Sequence, residues 1–407
     1  MRNKANSILL GNITYSIFQF IILTVVVKFG TVTEVGNYTY ALAIITPIFI
    51  FLSLQMRNVL ATDVENTYSF LMIAKVRGVI SILTIITGMI LYIISEQNIL
   101  KVIAILIIYK TIDSFFDLYF GEYLKEKNNK AMGLLLTNKS IVSGLAFVTT
   151  FLLTSNLVLS IFTQSLILLT TFIVTNNKQR KISLITFTKK HGQISDFLFA
   201  VIPLAFSGLI ISIIPQIPKY YLGLYVGIKE VGYFSTISYI VVVGTLFVNT
   251  LNSAYYSTLT TYLSQNRINK FIKQNFKLSM LFIVIWLFII LGLCFWGEEL
   301  LIFAFTKEYS NYTDEALIIA FSLIFLFLST LFINITLYLK KYKTQLFIYI
   351  IVLLISTLTS STLIPSKGLL GAVYSVLFVN LSQFIIALLV FLYILREKNN
   401  ENKKYKA

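Results

Sequence analysis

Residues 7–27 read SILLGNITYSIFQFIILTVVV, a run without one charged side chain, with Arg2 and Lys4 before it and Lys28 directly after. A helix rises about 1.5 Å per residue, so roughly 20 apolar residues cross the ~30 Å hydrocarbon core of a bilayer. Runs of this kind recur about twelve times in the 407 residues, at 7–27, 38–55, 78–95, 99–120, 132–153, 157–175, 197–217, 232–254, 277–296, 315–338, 346–363 and 370–394. The composition agrees: 57% of residues are hydrophobic, 12% are charged, and the mean hydropathy is +0.83, outside the range of a soluble domain. A β-barrel would show shorter runs that alternate apolar and polar residues. The sequence therefore predicts an all-α polytopic membrane protein of about twelve transmembrane helices.

Periodicity inside the runs gives no orientation, because a helix packed on others and bathed in lipid is apolar nearly all round. Basic residues do. Of 33 Lys and Arg, 25 lie on the side of the N-terminus, in the even-numbered loops and the C-terminal tail. Six lie opposite: Lys28, Lys101, Lys219, Lys229, Lys307 and Lys367. The remaining two, Lys110 and Lys139, fall inside helices. Cytoplasmic loops are enriched in Lys and Arg, so both termini are expected in the cytoplasm, which requires an even helix count. The net charge of +16 sits in these juxtamembrane loops, where topology and anionic headgroups account for it, so nucleic acid is not an expected partner. Arg2 and Lys4 lead straight into a full-length first helix, so no cleavable signal peptide is expected.

The longest polar stretch, Asn176 to Ser195, separates six runs from six. It predicts an N-terminal bundle over 1–180, a cytoplasmic linker over 181–195 and a C-terminal bundle over 196–407. The halves share a motif: Glu34-Val35-Gly36-Asn37-Tyr38 enters the second helix, and Glu230-Val231-Gly232-Tyr233-Phe234 enters the eighth. Both copies fall at the same external turn, so the two six-helix bundles are expected to be related by a pseudo-two-fold along the membrane normal, a recurrent transporter plan.

No catalytic constellation is present. The sole histidine, His191, lies in the basic linker, and the sole cysteine, Cys294, lies in an apolar helix. That cysteine count excludes a disulfide framework or a multi-thiolate metal site. There is no glycine-rich phosphate loop, and the adjacent Glu298 and Glu299 in the largest expected external loop, 297–314, read as a solvated face. An enzyme, a metal centre and a cofactor are not expected.

The informative residues are ionisable groups placed within helices, since such groups are costly there and face a partner or a cavity. Lys110, Asp113 and Asp117 share one face of the fourth helix. Asp113 and Lys139 lie about equally far from the turn joining helices four and five, so they share a depth and read as an ion pair or a charged cavity wall. Lys28 ends the first helix, and Lys219 follows Ile214-Pro215-Gln216-Ile217-Pro218, where two prolines should bend or unwind the end of the seventh. Snorkelling to the interface is the alternative for both lysines. Arg57 and Asp63 follow the second helix, with Arg77 just before the third, consistent with positive-inside topology and a local Arg57–Asp63 contact. Asn12, Gln19, Asn249, Asn252, Asn380 and Gln383 read as interhelical hydrogen-bonders rather than ligands.

At these residues the chain resembles bacterial polysaccharide flippases of the Wzx type, in the multidrug/oligosaccharidyl-lipid/polysaccharide exporter superfamily. The resemblance rests on Val35-Gly36-Asn37-Tyr38 continuing to Pro47, on Leu54-Gln55-Met56-Arg57-Asn58-Val59-Leu60-Ala61-Thr62-Asp63, and on Ile217-Pro218-Lys219-Tyr220-Tyr221 followed by Gly232-Tyr233-Phe234. It runs from end to end. Lys219 stands where an arginine is common, and Lys cannot make a bidentate phosphate contact. The resemblance implies a MATE-like pair of bundles in the bacterial cytoplasmic membrane, opening a central cavity alternately to each side. Its implied cargo is an undecaprenyl-diphosphate-linked oligosaccharide repeat unit for O-antigen or capsule. Membrane lipids, a coupling ion (H+ or Na+) and a polysaccharide polymerase are further implied partners. Lys28, Arg57, Lys110, Lys139 and Lys219 become candidates for holding the anionic lipid, and Asp63, Arg77, Asp113 and Asp117 candidates for charge pairing or gating. Three rivals differ visibly. A drug/cation antiporter of this fold often carries an acid in the middle of its first helix, absent between Ser7 and Val27. A lipid II flippase usually has two further helices. A polymerase or ligase needs a large external loop.

Overall fold

The computed structural model describes residues 2–63, 67–94, 97–126, 128–183, 194–265, 267–339 and 341–404. Among these every regular element is helical. Ten helical stretches are long and apolar enough to cross a membrane. Two further features bear on the count. Helix α5 (Asn98–Lys125) matches the others in length but carries Lys101, Lys110, Asp113 and Asp117, more charge than a lipid-exposed helix tolerates. The stretch Tyr342–Lys398 is 57 residues long, about twice one crossing. It breaks at Gly368, whose φ of 58° and ψ of −130° suit only glycine. Lys341 Nζ lies 2.6 Å from Glu397 Oε2, so the two arms turn back on each other there.

The chain forms two compact units, Met1–Ser212 and Ile213–Ala407. The first contains α1 (Arg2–Phe29), α2 (Val32–Leu52), α3 (Met56–Thr62), α4 (Phe70–Ile94), α5, α6 (Asn129–Thr154), α7 (Leu157–Ser183) and α8 (Ile194–Ile213). The second contains α9 (Ile217–Tyr225), α10 (Ile228–Ile237), α11 (Tyr239–Ser264), α12 (Ile268–Ala304), α13 (Thr313–Tyr338) and α14 (Tyr342–Lys404).

Several boundaries differ from the hydropathy reading. Helix α2 starts at Val32 rather than near 38, because Thr31 and Glu34 close a capping box: each side chain satisfies the other's backbone amide. Glu230 occupies the same third position of α10, but behind Gly227, which has φ 132° and offers no side-chain cap. The shared Glu-Val-Gly thus marks a helix N-terminus in both units, with Val35 and Val231 buried. The expected external loop 297–314 is mostly helical: α12 continues to Ala304 and a 3-10 turn spans Lys307–Tyr312. Much of the expected linker falls outside the described residues, His191 among them, although α7 runs through Ser183 and α8 begins at Ile194.

Each unit has its own apolar core. In the first, Leu54, Met56 and Leu60 pack with Ile73, Leu118 and Phe197. In the second, Phe271, Phe282, Phe327 and Phe391 anchor the packing. The outer faces are as apolar as the cores, with Leu153, Phe199 and Phe288 each at least 84% exposed. Such surfaces have no place in water and are what lipid covers.

Candidate functional site

In the first unit the charged residues of α5 converge with groups from α3, α4 and α6. Lys139 Nζ donates to Asp113 Oδ1 at 2.5 Å, so the expected interhelical pair forms. Lys139 is 6% exposed. Its ammonium also lies 5.2 Å and 5.1 Å from the ring centroids of Phe116 and Phe120, and 5.9 Å from that of Tyr15 on α1. Desolvating an ammonium costs several kcal/mol, and a carboxylate plus aromatic faces is the combination that offsets it.

Arg57 reaches the same cluster from α3, its guanidinium carbon 5.3 Å from the Phe120 ring. Close packing of α3 on α5 at Gly121 makes this possible: a Cβ there would come 2.8 Å from Leu60 Cβ and 3.0 Å from Arg57 O. The local Arg57–Asp63 contact is not made. Asp63 instead accepts from the Thr67 and Tyr68 amides, both at 2.9 Å, closing the turn after α3. Burial raises the Asp63 carboxyl, but those amides, the Thr67 hydroxyl and Lys125 hold it below its ordinary value.

Arg77 departs most from its expected place. It lies inside α4 rather than ahead of it and is 1% exposed. Its guanidinium donates to Leu52 O at 3.3 Å and Ser53 O at 3.1 Å, satisfying carbonyls at the end of α2. Directly after them Leu54 and Gln55 both adopt left-handed φ, 47° and 50°, a conformation costly for residues with a Cβ. A buried arginine therefore braces a strained turn. Asp117, half-buried one turn from Asp113, lies within electrostatic reach of Lys139, Arg57 and Arg77. Lys110 is half-buried with its ammonium 5.9 Å from the Tyr109 ring, and it feels Asp113 and Asp117. The cluster thus sets four cations against two carboxylates. Within this unit the pair borders a void of about 10 Å³, room for one water.

The structure does not bring the other two lysines to this cluster within the first unit. Lys28 occupies the last turn of α1 and is exposed, a position that a helix C-terminus favours for a cation. Lys219 belongs to the second unit. The two prolines were expected to bend or unwind the end of the seventh run; there the chain passes through a 3-10 turn, Ile214–Gln216, and resumes as α9. Pro218 sits at the start of α9, where a missing amide costs nothing. Lys219 is therefore in the first turn of a helix, half-buried, rather than beyond a helix end. A separate cavity of about 870 Å³ in the first unit is bordered by Glu34, Asn37, Lys101 and Asn156, and none of the nominated residues lines it.

The sequence reading missed the aromatic partners Tyr15, Phe116 and Phe120. The latter two were legible, since positions 113, 116, 117 and 120 share one helical face.

The family described as polysaccharide biosynthesis protein matches residues 1–263. The chain is 29% identical over 401 residues to the capsular polysaccharide biosynthesis protein CapF of Staphylococcus aureus, covering 97% of this chain and 98% of that protein. Among solved structures, an inward-facing multidrug resistance MATE family transporter of the MOP superfamily superposes with a TM-score of 0.68 at 11% identity, covering 98% of both chains. An outward-facing MATE family transporter gives a TM-score of 0.64 at 14% identity, covering 97% of this chain and 95% of the other. At such identities these likenesses bear on the fold alone.

Proposed function

The chain belongs to the polysaccharide biosynthesis protein family, and from that premise we propose that it flips undecaprenyl-diphosphate-linked oligosaccharide repeat units from the cytoplasmic to the outer leaflet by alternating access. Family and fold together describe a multi-pass membrane transporter of polysaccharide biosynthesis rather than an enzyme. The finer reading adds the cargo, the two six-helix bundles over 1–180 and 196–407 within a twelve-helix count, the bacterial cytoplasmic membrane and cytoplasmic termini.

The observation that carries it is the excess of cations inside the first unit. Arg57, Arg77, Lys110 and Lys139 outnumber Asp113 and Asp117, and a polytopic protein retains such a surplus in its helices where an anion must leave water. A lipid diphosphate is such an anion, and moving it requires charge compensation but no bond chemistry. Lys219 adds a cation beside the first-turn amides of α9, and a helix N-terminus favours an anion. Lys28 stands where the first helix ends. The relationship to a capsule biosynthesis protein supports polysaccharide as the cargo class.

The test is complementation. Deleting the gene in its own host should leave lipid-linked repeat units on the cytoplasmic leaflet, and the intact chain should restore surface polysaccharide. Normal export in the deletion strain, without a second exporter, overturns the reading. Orientation has its own check. In a Cys294→Ser background, Val226→Cys or Ser310→Cys should label from outside intact cells, and labelling only after permeabilisation reverses the topology.

A further inference from the structure

The second unit holds a cavity of about 600 Å³ between α11, α13 and α14, within the size range of small-molecule sites. Asn249, Asn252, Asn334 and Gln345 line it with amides. Tyr256, Tyr349 and Thr330 add hydroxyls, a single leucine completes the wall, and no charged residue takes part. This lining excludes ligand classes in turn. An anion would meet no cation, a cation no carboxylate, and a lipid chain would leave the amides and hydroxyls, which form about half the wall, without partners. A neutral ligand dense in hydroxyl groups remains. Each amide offers two donors and an acceptor, the complement of vicinal hydroxyls that both give and take protons.

Two details point to an occupant. Asn252 is 8% exposed, yet its Oδ1 accepts no hydrogen bond. An amide oxygen left bare in the interior costs about 1–3 kcal/mol. Asn275 Oδ1 and Gln216 Oε1 in the same unit are bare as well, but neither residue lines the cavity, whereas Asn380 Nδ2 donates to Ser322 Oγ and Gln383 Nε2 to Ser329 Oγ, both at 2.9 Å. Tyr256 stands edge-on to Tyr338 at 5.2 Å and remains 45% exposed, an apolar ring available to the C–H face of a sugar. The cavity also lies toward one membrane side. Thr330 to Leu337 fall in the last turns of α13, and Gln345 and Tyr349 in the first turns of α14, flanking the basic Lys341 turn.

We propose that this cavity binds the uncharged sugar portion of the lipid-linked cargo at the cytoplasmic side, where the cargo is loaded. The inference rests on the flippase reading above and adds a site that reads sugar separately from diphosphate. The second unit then contributes selection by glycan, and the cations contribute grip on the lipid.

The test uses the full chain in lipid nanodiscs and native mass spectrometry. Two probes are compared: undecaprenyl diphosphate, and the same lipid carrying the repeat unit, extracted from the host's own membranes. The wild type should retain the glycosylated lipid about tenfold better, the worth of one or two ordinary hydrogen bonds. Asn252→Leu and Gln345→Leu should erase that preference while binding the bare lipid as the wild type does. A thermal melt shows that each variant is folded. Folded variants that keep the full preference overturn the sugar site, as does a wild type that binds both lipids equally, and either result leaves the flippase reading standing. A wild type that retains neither lipid overturns both.

Discussion

Arg77 and Lys139, the charged side chains that are fully buried among the described residues, both belong to the first unit, whereas the buried polar groups of the second are amides and hydroxyls such as Asn252, Asn275, Asn380 and Gln383. The difference concerns what each interior can still bind. An ionised group taken out of water must find its partner inside the protein, because the unpaired cost runs to several kcal/mol. Lys139 is accordingly spent on Asp113 and three aromatic faces, and Arg77 on two carbonyls. An amide needs one partner and has capacity to spare, so it can exchange water for a hydroxylated ligand at little cost. The first interior is committed, with a cationic surplus; the amides that line the cavity of the second carry no charge and keep hydrogen-bonding capacity to spare.

The largest expected effect breaks the committed side. Asp113→Asn or Lys139→Met alone leaves one buried charge without its partner and should cost about 3–5 kcal/mol. In purified protein this reads as lost folded yield and a lower thermal midpoint. The double change should recover part of that loss, with an interaction energy of roughly 0.5–3 kcal/mol. Asn380→Leu in the second unit removes one interhelical hydrogen bond and should cost only about 0.6 kcal/mol. Additive effects at the pair, or a comparable loss at Asn380, would erase the contrast between the two interiors.

A smaller effect sharpens the contrast through transport rather than folding. Lys219→Ala should insert and fold near normally yet export surface polysaccharide roughly ten- to hundredfold less well, since a hydrogen bond to a charged group is worth about 1.5–3 kcal/mol. Lys219→Arg should keep more activity because the charge survives. Lys28→Ala should lose less than Lys219→Ala, because Lys28 is exposed at the end of α1 whereas Lys219 is half-buried in the first turn of α9. Normal export by Lys219→Ala would make that lysine an interface anchor and remove it from the site.

Much of the fold was legible because one quantity, apolar run length, is imposed by the bilayer and not by neighbouring residues. The Asp113–Lys139 pair was legible for the same reason: depth along consecutive helices is fixed by rise per residue and turn position. What escaped depends on tertiary partners. Arg77 looked like a loop cation because hydropathy penalises charge, and only the α2 carbonyls at Leu52 and Ser53 explain why α4 can carry it buried. Helix α3 is seven residues long, too short for a hydropathy window, and is held by its approach to Gly121. The start of α2 was available in Thr31-Val32-Thr33-Glu34, a capping signature outweighed by the search for uncharged runs. The Asn249 and Asn252 amides read as helix glue alongside Asn380 and Gln383, and no local pattern separates a closed amide from one facing a cavity.

The smallest expected effect tests the charge of the first unit at its aqueous edge. Asp63 anchors the turn after α3 through the Thr67 and Tyr68 amides. Burial alone would raise its carboxyl, but those amides, the Thr67 hydroxyl and Lys125 prevail and hold it below the ordinary aspartate value, which is about 3.9. A carboxyl lowered in the folded state binds its proton less readily than in the unfolded chain. Its stabilisation is therefore fully present above the ordinary value and is lost as pH falls through the lower, folded value. Asp63→Asn keeps an acceptor oxygen for one amide but has no charge to titrate. The wild type should consequently lose more thermal stability than Asp63→Asn when purified protein is taken from pH 5 to pH 3, and the two should converge at the acid end. Parallel melting curves across that range would show that the amides alone, and not the charge, close the turn.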